Sequence, residues 1–181
     1  MNLGWLSSPR HRLDVVAGLV DGILNALTLA AGKLLEPGAG SSLSLIVKVG
    51  AATACTTLFV FFVAHYAELR AELIHAEREL NLMAHGRLAT TRLGQQVLKE
   101  SLAAAAIASV CGLAGSAVPL LLGLMLPGPP VIALALSVGL LGILGALLAR
   151  SFFGSPLAWA LALMAGGVVL TFIGMKLNVV G

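Results

Sequence analysis

The sequence predicts an all-α integral membrane protein: five transmembrane helices, the second extended into the cytoplasm. Three observations predict this. The 181 residues are 59% hydrophobic and 10% charged, with a mean hydropathy of +1.00. A soluble domain is nearer half apolar and about a quarter charged. Five apolar runs have about the 20-residue length that crosses a bilayer. Most of the ionisable residues suited to chemistry lie between the second and third runs, from His65 to Met83.

The opening residues, Met1 to Arg12, end in Pro9-Arg10-His11-Arg12 and read as a cytoplasmic lead-in rather than a signal peptide, since no small-residue cleavage site follows a short apolar core. The first span, Leu13 to Leu35, carries Asp14 near its start and Asp21 two turns further in. Asp21 is the most informative single residue. An ionised carboxylate at the centre of a span costs about 2.5–3.5 kcal/mol on insertion scales, so it needs a partner, water or a function. Asn25, Thr28 and Gly32 continue its face, which reads as one wall of a cation path or as a helix-packing contact. Glu36 to Ser42 is a breaker cluster.

The second span, Leu43 to Tyr66, contains Thr53, Cys55, Thr56 and Thr57. Thr53, Thr56 and Thr57 either line the same path or bond to carbonyls of their own helix. No stop signal separates this span from the polar stretch, so one helix is expected to run on to about Leu82. Gly86 ends it, and Arg87 to Lys99 forms a second polar helix leading back. The third span, Leu102 to Leu126, holds Pro119, where a kink is expected. Pro127 to Pro130 is a turn. The fourth span, Val131 to Ala149, is glycine-rich, and the fifth runs from Leu157 to Leu177. Small residues such as Gly166, Gly167 and Gly174 permit close helix approach in lipid. The chain therefore divides into residues 1–66, a cytoplasmic amphipathic metal-binding region at 67–100, and residues 101–181.

Orientation follows from the basic residues. Arg10, Arg12, Arg70, Arg78, Arg87, Arg92, Lys99 and Arg150 fall on one side, against Lys33, Lys48 and Lys176 on the other. The positive-inside rule puts the N-terminus in the cytoplasm and the C-terminus opposite, as in a bacterial inner membrane. Cys55 and Cys111 lie in apolar runs and read as packed thiols. An aromatic content of 5% and scattered basic residues argue against nucleic-acid binding.

On a helix of about 100° per residue, Glu68, Glu72, His75 and Glu79 form one stripe, with His65 and Met83 at its edge. Like charges at i, i+4 repel, so a cation should offset them. The alternative is a solvated helix face. Glu72-Leu73-Ile74-His75 has the Glu-x-x-His spacing of carboxylate-bridged metal bundles. Oxygen and imidazole ligands suit Fe(II), Mn(II) or Zn(II) as substrate or ligand, with no tightly bound cofactor. One helix cannot surround a metal; the rest must come from Arg87–Lys99 or from the same stripe of a second subunit. His65 either passes a cation from the stripe to the span or anchors the helix at the interface.

The pattern resembles the vacuolar iron transporter family. Arg12 to Ile23, with Asp14 and Asp21-Gly22, then Asn25 to Gly32, is similar to its opening Asp-Gly motif. Gly115-Ser116-Ala117-Val118-Pro119-Leu120 resembles its third-span pattern, Gly145 to Gly154 the end of its fourth span, and Leu161 to Leu177 its fifth. In the second span Ala51 to Thr57, AATACTT, stands where the family has Gly-Ser-Ile-Ser-Met-Gly. The resemblance implies five spans, a dimer with a path between the subunits' first and second spans, and exchange of divalent metal for protons. It implies Asp21 as the in-membrane ligand and Glu68, Glu72, Glu79 and Met83 as the cytoplasmic metal site. The expected function is thus a proton-coupled Fe(II)/Mn(II) exporter, not an enzyme. A sensor or scaffold that binds metal without moving it is the alternative. A membrane iron oxidase is disfavoured by the single Glu-x-x-His unit.

Overall fold

The computed structural model describes residues 9–35, 43–79, 92–125, 130–151 and 154–177, and they form five helices. These are α1 (Pro9–Leu35), α2 (Leu43–Glu79), α3 (Arg92–Met125), α4 (Pro130–Ser151) and α5 (Pro156–Leu177). No strand occurs among the described residues. Four helices, α2 to α5, are long and apolar enough to cross a membrane over their described residues. That is the makeup of a multi-pass membrane protein.

The long α2 has 37 residues and passes Tyr66 without a break, because no proline or glycine interrupts Ala51 to Glu79. At 1.5 Å per residue it is about 55 Å long, well beyond a hydrocarbon core of roughly 30 Å. The returning polar segment and the third span are one helix, α3, of 34 residues from Arg92, and it continues through Pro119. Gly86 and Met83 lie outside the described residues. Cys55 is exposed on the outer face of α2 rather than packed, and Cys111 is half-buried; both are free thiols.

The most polar of the five segments occupies the centre. α1 touches all four other helices, whereas α2 packs on α1 and α3, and α5 on α4 and α1. A helix carrying Asp14, Asp21 and Asn25 is unfavourable against lipid, so its place is inside the bundle. Ile23, Ala26 and Leu27 are fully buried around it, in one core with Leu120, Leu134 and Leu141.

Small residues set how closely the helices approach. α1 and α3 run parallel and nearly touch. A Cβ at Gly18 would fall 2.9 Å from Ala108 Cα, and one at Gly22 would fall 2.8 Å from both Gly112 C and Ser116 N. Gly18-x-x-x-Gly22 thus faces Ala108-x-x-x-Gly112-x-x-x-Ser116, a small-residue seam of the kind that lets helix backbones meet. α5 is held at two places. A Cβ at Gly145 on α4 would meet Trp159 O at 2.7 Å, and one at Gly174 would meet Leu27 O on α1 at 2.9 Å. On α3, Ser109 Oγ donates to Ala54 O of α2 at 2.8 Å and ties those two helices.

Candidate functional site

The acidic residues of α1 meet α2 along one seam. α1 and α2 are antiparallel, and two polar pairs fix their register. His65 Nε2 lies 2.9 Å from Asp14 Oδ1. Two turns along, Thr57 Oγ1 donates to Asp21 Oδ2. The step is seven residues on α1 and eight on α2, about 11–12 Å on either helix. The same register brings Asn25 level with Thr53.

Each pair has a local cause. Asp14 is only 4% exposed although it lies near the start of its helix, because the unbroken 37-residue α2 runs on far enough to bring His65 to it. Phe61 stacks obliquely on His65 at 6.3 Å between ring centroids and braces the imidazole. Thr57 is fully buried beside Gly112 of α3. A Cβ at Gly112 would lie 3.1 Å from Thr57 Oγ1, so the glycine leaves the hydroxyl room to turn to Asp21.

One turn from that pair, Thr53 is 1% exposed and its hydroxyl has no hydrogen-bond partner among the described residues. Thr28, Thr56 and Ser137 all bond to carbonyls of their own helices. Thr53 does not, and a buried hydroxyl without a partner costs about 1–3 kcal/mol. The seam is therefore polar and incompletely satisfied at its Thr53 rung, one turn beyond the Thr57–Asp21 pair.

The residues named from sequence divide accordingly. Asp21, Asn25, Thr53 and His65 lie along the α1–α2 seam. Thr56 is exposed, turned about 100° around α2 from Thr57, and bonded to Ala52 O at 3.1 Å and Thr53 O at 3.0 Å. Thr28 bonds to Leu24 O at 2.8 Å. Glu68, Glu72 and His75 are exposed on the extension of α2. Glu79 ends that helix with its side chain outside the described residues, as is Met83. Among the described residues no three His, Cys, Asp or Glu side chains converge on a point. Arg70 is drawn away from the stripe. Its Nη1 donates to Tyr66 Oη at 3.1 Å and its guanidinium sits 5.9 Å from the Tyr66 ring.

Two members of the seam were not singled out by the sequence. The sequence alone gives Asp14 a place on α1 and no role, and it does not separate Thr57 from Thr56. The spacing Asp14-x6-Asp21 puts both carboxylates on one face and was the available signal. The choice between Thr56 and Thr57 needs the helix rotation. One consequence is testable. His65→Ala removes a hydrogen bond from the buried Asp14 carboxyl and should destabilise the protein by about 1–3 kcal/mol. A lowered unfolding temperature in detergent, partly recovered in His65→Gln, is the expected result.

The fold and seam define an all-helical protein, four of its helices apolar enough to cross a membrane, with carboxylates drawn into the bundle centre. Comparison with protein-family models, curated proteins and solved structures finds no match to this chain.

Proposed function

We propose that this protein is a divalent transition-metal transporter of the vacuolar iron transporter type, exporting Fe(II) or Mn(II) from the cytoplasm in exchange for protons. The observation that carries the reading is the α1–α2 seam. It holds a carboxylate on the central helix, Asp21, and on the next rung a buried hydroxyl at Thr53 with no partner among the described residues. Such a rung suits an ion or water that the chain alone does not supply. The topology accompanying this reading has five spans, α1 being the fifth, since Val15 to Gly32 contains Asp21 as its only charged residue. The N-terminus is then cytoplasmic, and the homodimer brings two α2 extensions together.

In this mechanism the metal is the substrate. It collects on Glu68, Glu72, His75 and Glu79 of paired α2 extensions. It then passes the Asp14–His65 pair and reaches Asp21. A proton replaces it on Asp21 for the return stroke. Proteoliposomes loaded with a divalent-sensitive dye test this under an imposed pH gradient. Uptake of Fe(II) or Mn(II) that follows the gradient supports the reading; none in sealed vesicles of folded protein refutes it.

Thr53→Val separates a structural hydroxyl from one that serves the ion. Exchanging an unpartnered buried hydroxyl for an isosteric methyl is neutral or stabilising, so the unfolding temperature should hold or rise while uptake falls.

The second reading, a metal-binding sensor or scaffold, is favoured by the Thr57–Asp21 hydrogen bond, which already satisfies part of the carboxylate as a packing contact would. Metal that binds the purified protein and never crosses the membrane identifies it.

A further inference from the structure

A second feature lies on the other side of the bundle. α5 is pressed onto α4 near its start, where Gly142 admits Met164 and Gly145 admits the Trp159 backbone. Near its end it is pressed onto α1 instead, where Gly174 meets the backbone of Leu27 and Thr28. α5 parts from α4 toward its C-terminal end, and a groove of about 590 Å³ opens there. Val131, Ala135 and Val138 of α4 form one wall, and Met164, Thr171 and Phe172 of α5 the other. The Thr171 hydroxyl is bonded to Gly167 O at 2.7 Å, so the wall it presents is apolar. The volume falls within the roughly 300–1,000 Å³ of small-molecule sites.

The mouth of the groove is charged on one side. Lys176 Nζ lies 5.9 Å from the ring of Phe172, a groove residue. Lys176 is exposed and has no carboxylate partner among the described residues. The described segments at this end of the bundle (22–35, 43–56, 112–125, 130–140 and 168–177) contain Lys33, Lys48 and Lys176 and no acidic residue. An apolar slot between two membrane-length helices, with an unpaired ammonium at its rim, matches a ligand with a hydrocarbon chain and an anionic head.

We propose that the α4–α5 groove binds one acidic phospholipid per chain, its acyl chain between the helices and its phosphate at Lys176. The basic rim selects the headgroup, and the divergence of α5 provides the slot. This site is independent of the metal-transport reading, because none of its residues belongs to the α1–α2 seam.

Native mass spectrometry of the detergent-purified protein tests it. Phosphatidylglycerol and phosphatidylcholine with identical chains are titrated in parallel. The wild type should retain one phosphatidylglycerol per chain with a preference of about fivefold, the size expected of one lysine at an anionic surface. Lys176→Gln should lose the preference and keep the weaker binding of both lipids. Ala135→Phe, which fills an exposed groove position, should lose both. Equal retention of the two lipids by the wild type overturns the proposal, and so does an unchanged preference in Lys176→Gln. A dimer mass that disappears in Ala135→Phe with no lipid retained also overturns it, by making the groove an interface between copies.

Discussion

Asp21→Asn is expected to fold and assemble as the wild type does, and to take up no divalent metal above protein-free vesicles. The substitution keeps the size of the side chain and an oxygen that accepts from Thr57 Oγ1, so the α1–α2 contact survives. It removes the negative charge, and with it both the attraction for a dication and the site for the exchanged proton. On insertion scales a central carboxylate costs about 2.5–3.5 kcal/mol. Its loss should therefore leave stability unchanged or raise it. The measurement pairs dye-reported uptake with unfolding temperature on the same preparation. Full uptake by Asp21→Asn would end the transport role assigned to this residue. A stable, inactive variant is the signature of a group kept for function at a cost in stability.

Gly22→Leu is expected to be the most damaging single change for folding. Even a Cβ at this position would fall 2.8 Å from Gly112 C and Ser116 N, and those are backbone atoms of a facing helix that cannot turn aside. The branched chain beyond it has no space at all. Overpacking a core typically costs about 1–3 kcal/mol; here the whole α1–α3 contact must open, so the upper end or more is expected. The opening also carries Asp21 away from α2, since it is the neighbouring residue. Loss of the folded species on size-exclusion chromatography in detergent is the expected outcome, with Gly22→Ala intermediate. Gly139, whose Cβ would meet nothing within 4 Å, is the matched control, and Gly139→Ala should be silent. If Gly22→Leu and Gly139→Ala behave alike, the small-residue seam is not what holds α1 to α3.

The polar α1–α2 seam was partly legible. Asp21 stood out because a charge inside an apolar run is costly wherever the helix sits, a property of composition rather than of packing. Asn25 followed from 3.6-residue periodicity along α1. His65 was marked by its place where α2 leaves the apolar run, but its pairing with Asp14 was not, since 51 residues separate them and neither names the other. The threonines show the limit most clearly. Thr53, Thr56 and Thr57 are equivalent as sequence. Their fates diverge because α2 turns Thr57 to Asp21, Thr53 to a buried void of partners, and Thr56 outward.

The sequence by itself determined the helical class and the approximate limits of the apolar segments, because length, hydropathy and turn residues act locally; it set Arg87 to Lys99 apart as a helix of its own, where the structure runs Arg92 to Met125 as one. It determined that α2 continues past the apolar run, since nothing in Ala51 to Glu79 stops a helix. Only the tertiary structure decided that α1 lies at the centre, that it meets α3 backbone to backbone, and that α5 leaves α4 to reach α1. Those outcomes rest on which small residues face each other across helices, as Gly22 faces Gly112 and Gly174 faces Thr28. Periodicity along a single apolar helix does not report that, because its lipid-facing and protein-facing sides are alike in hydropathy.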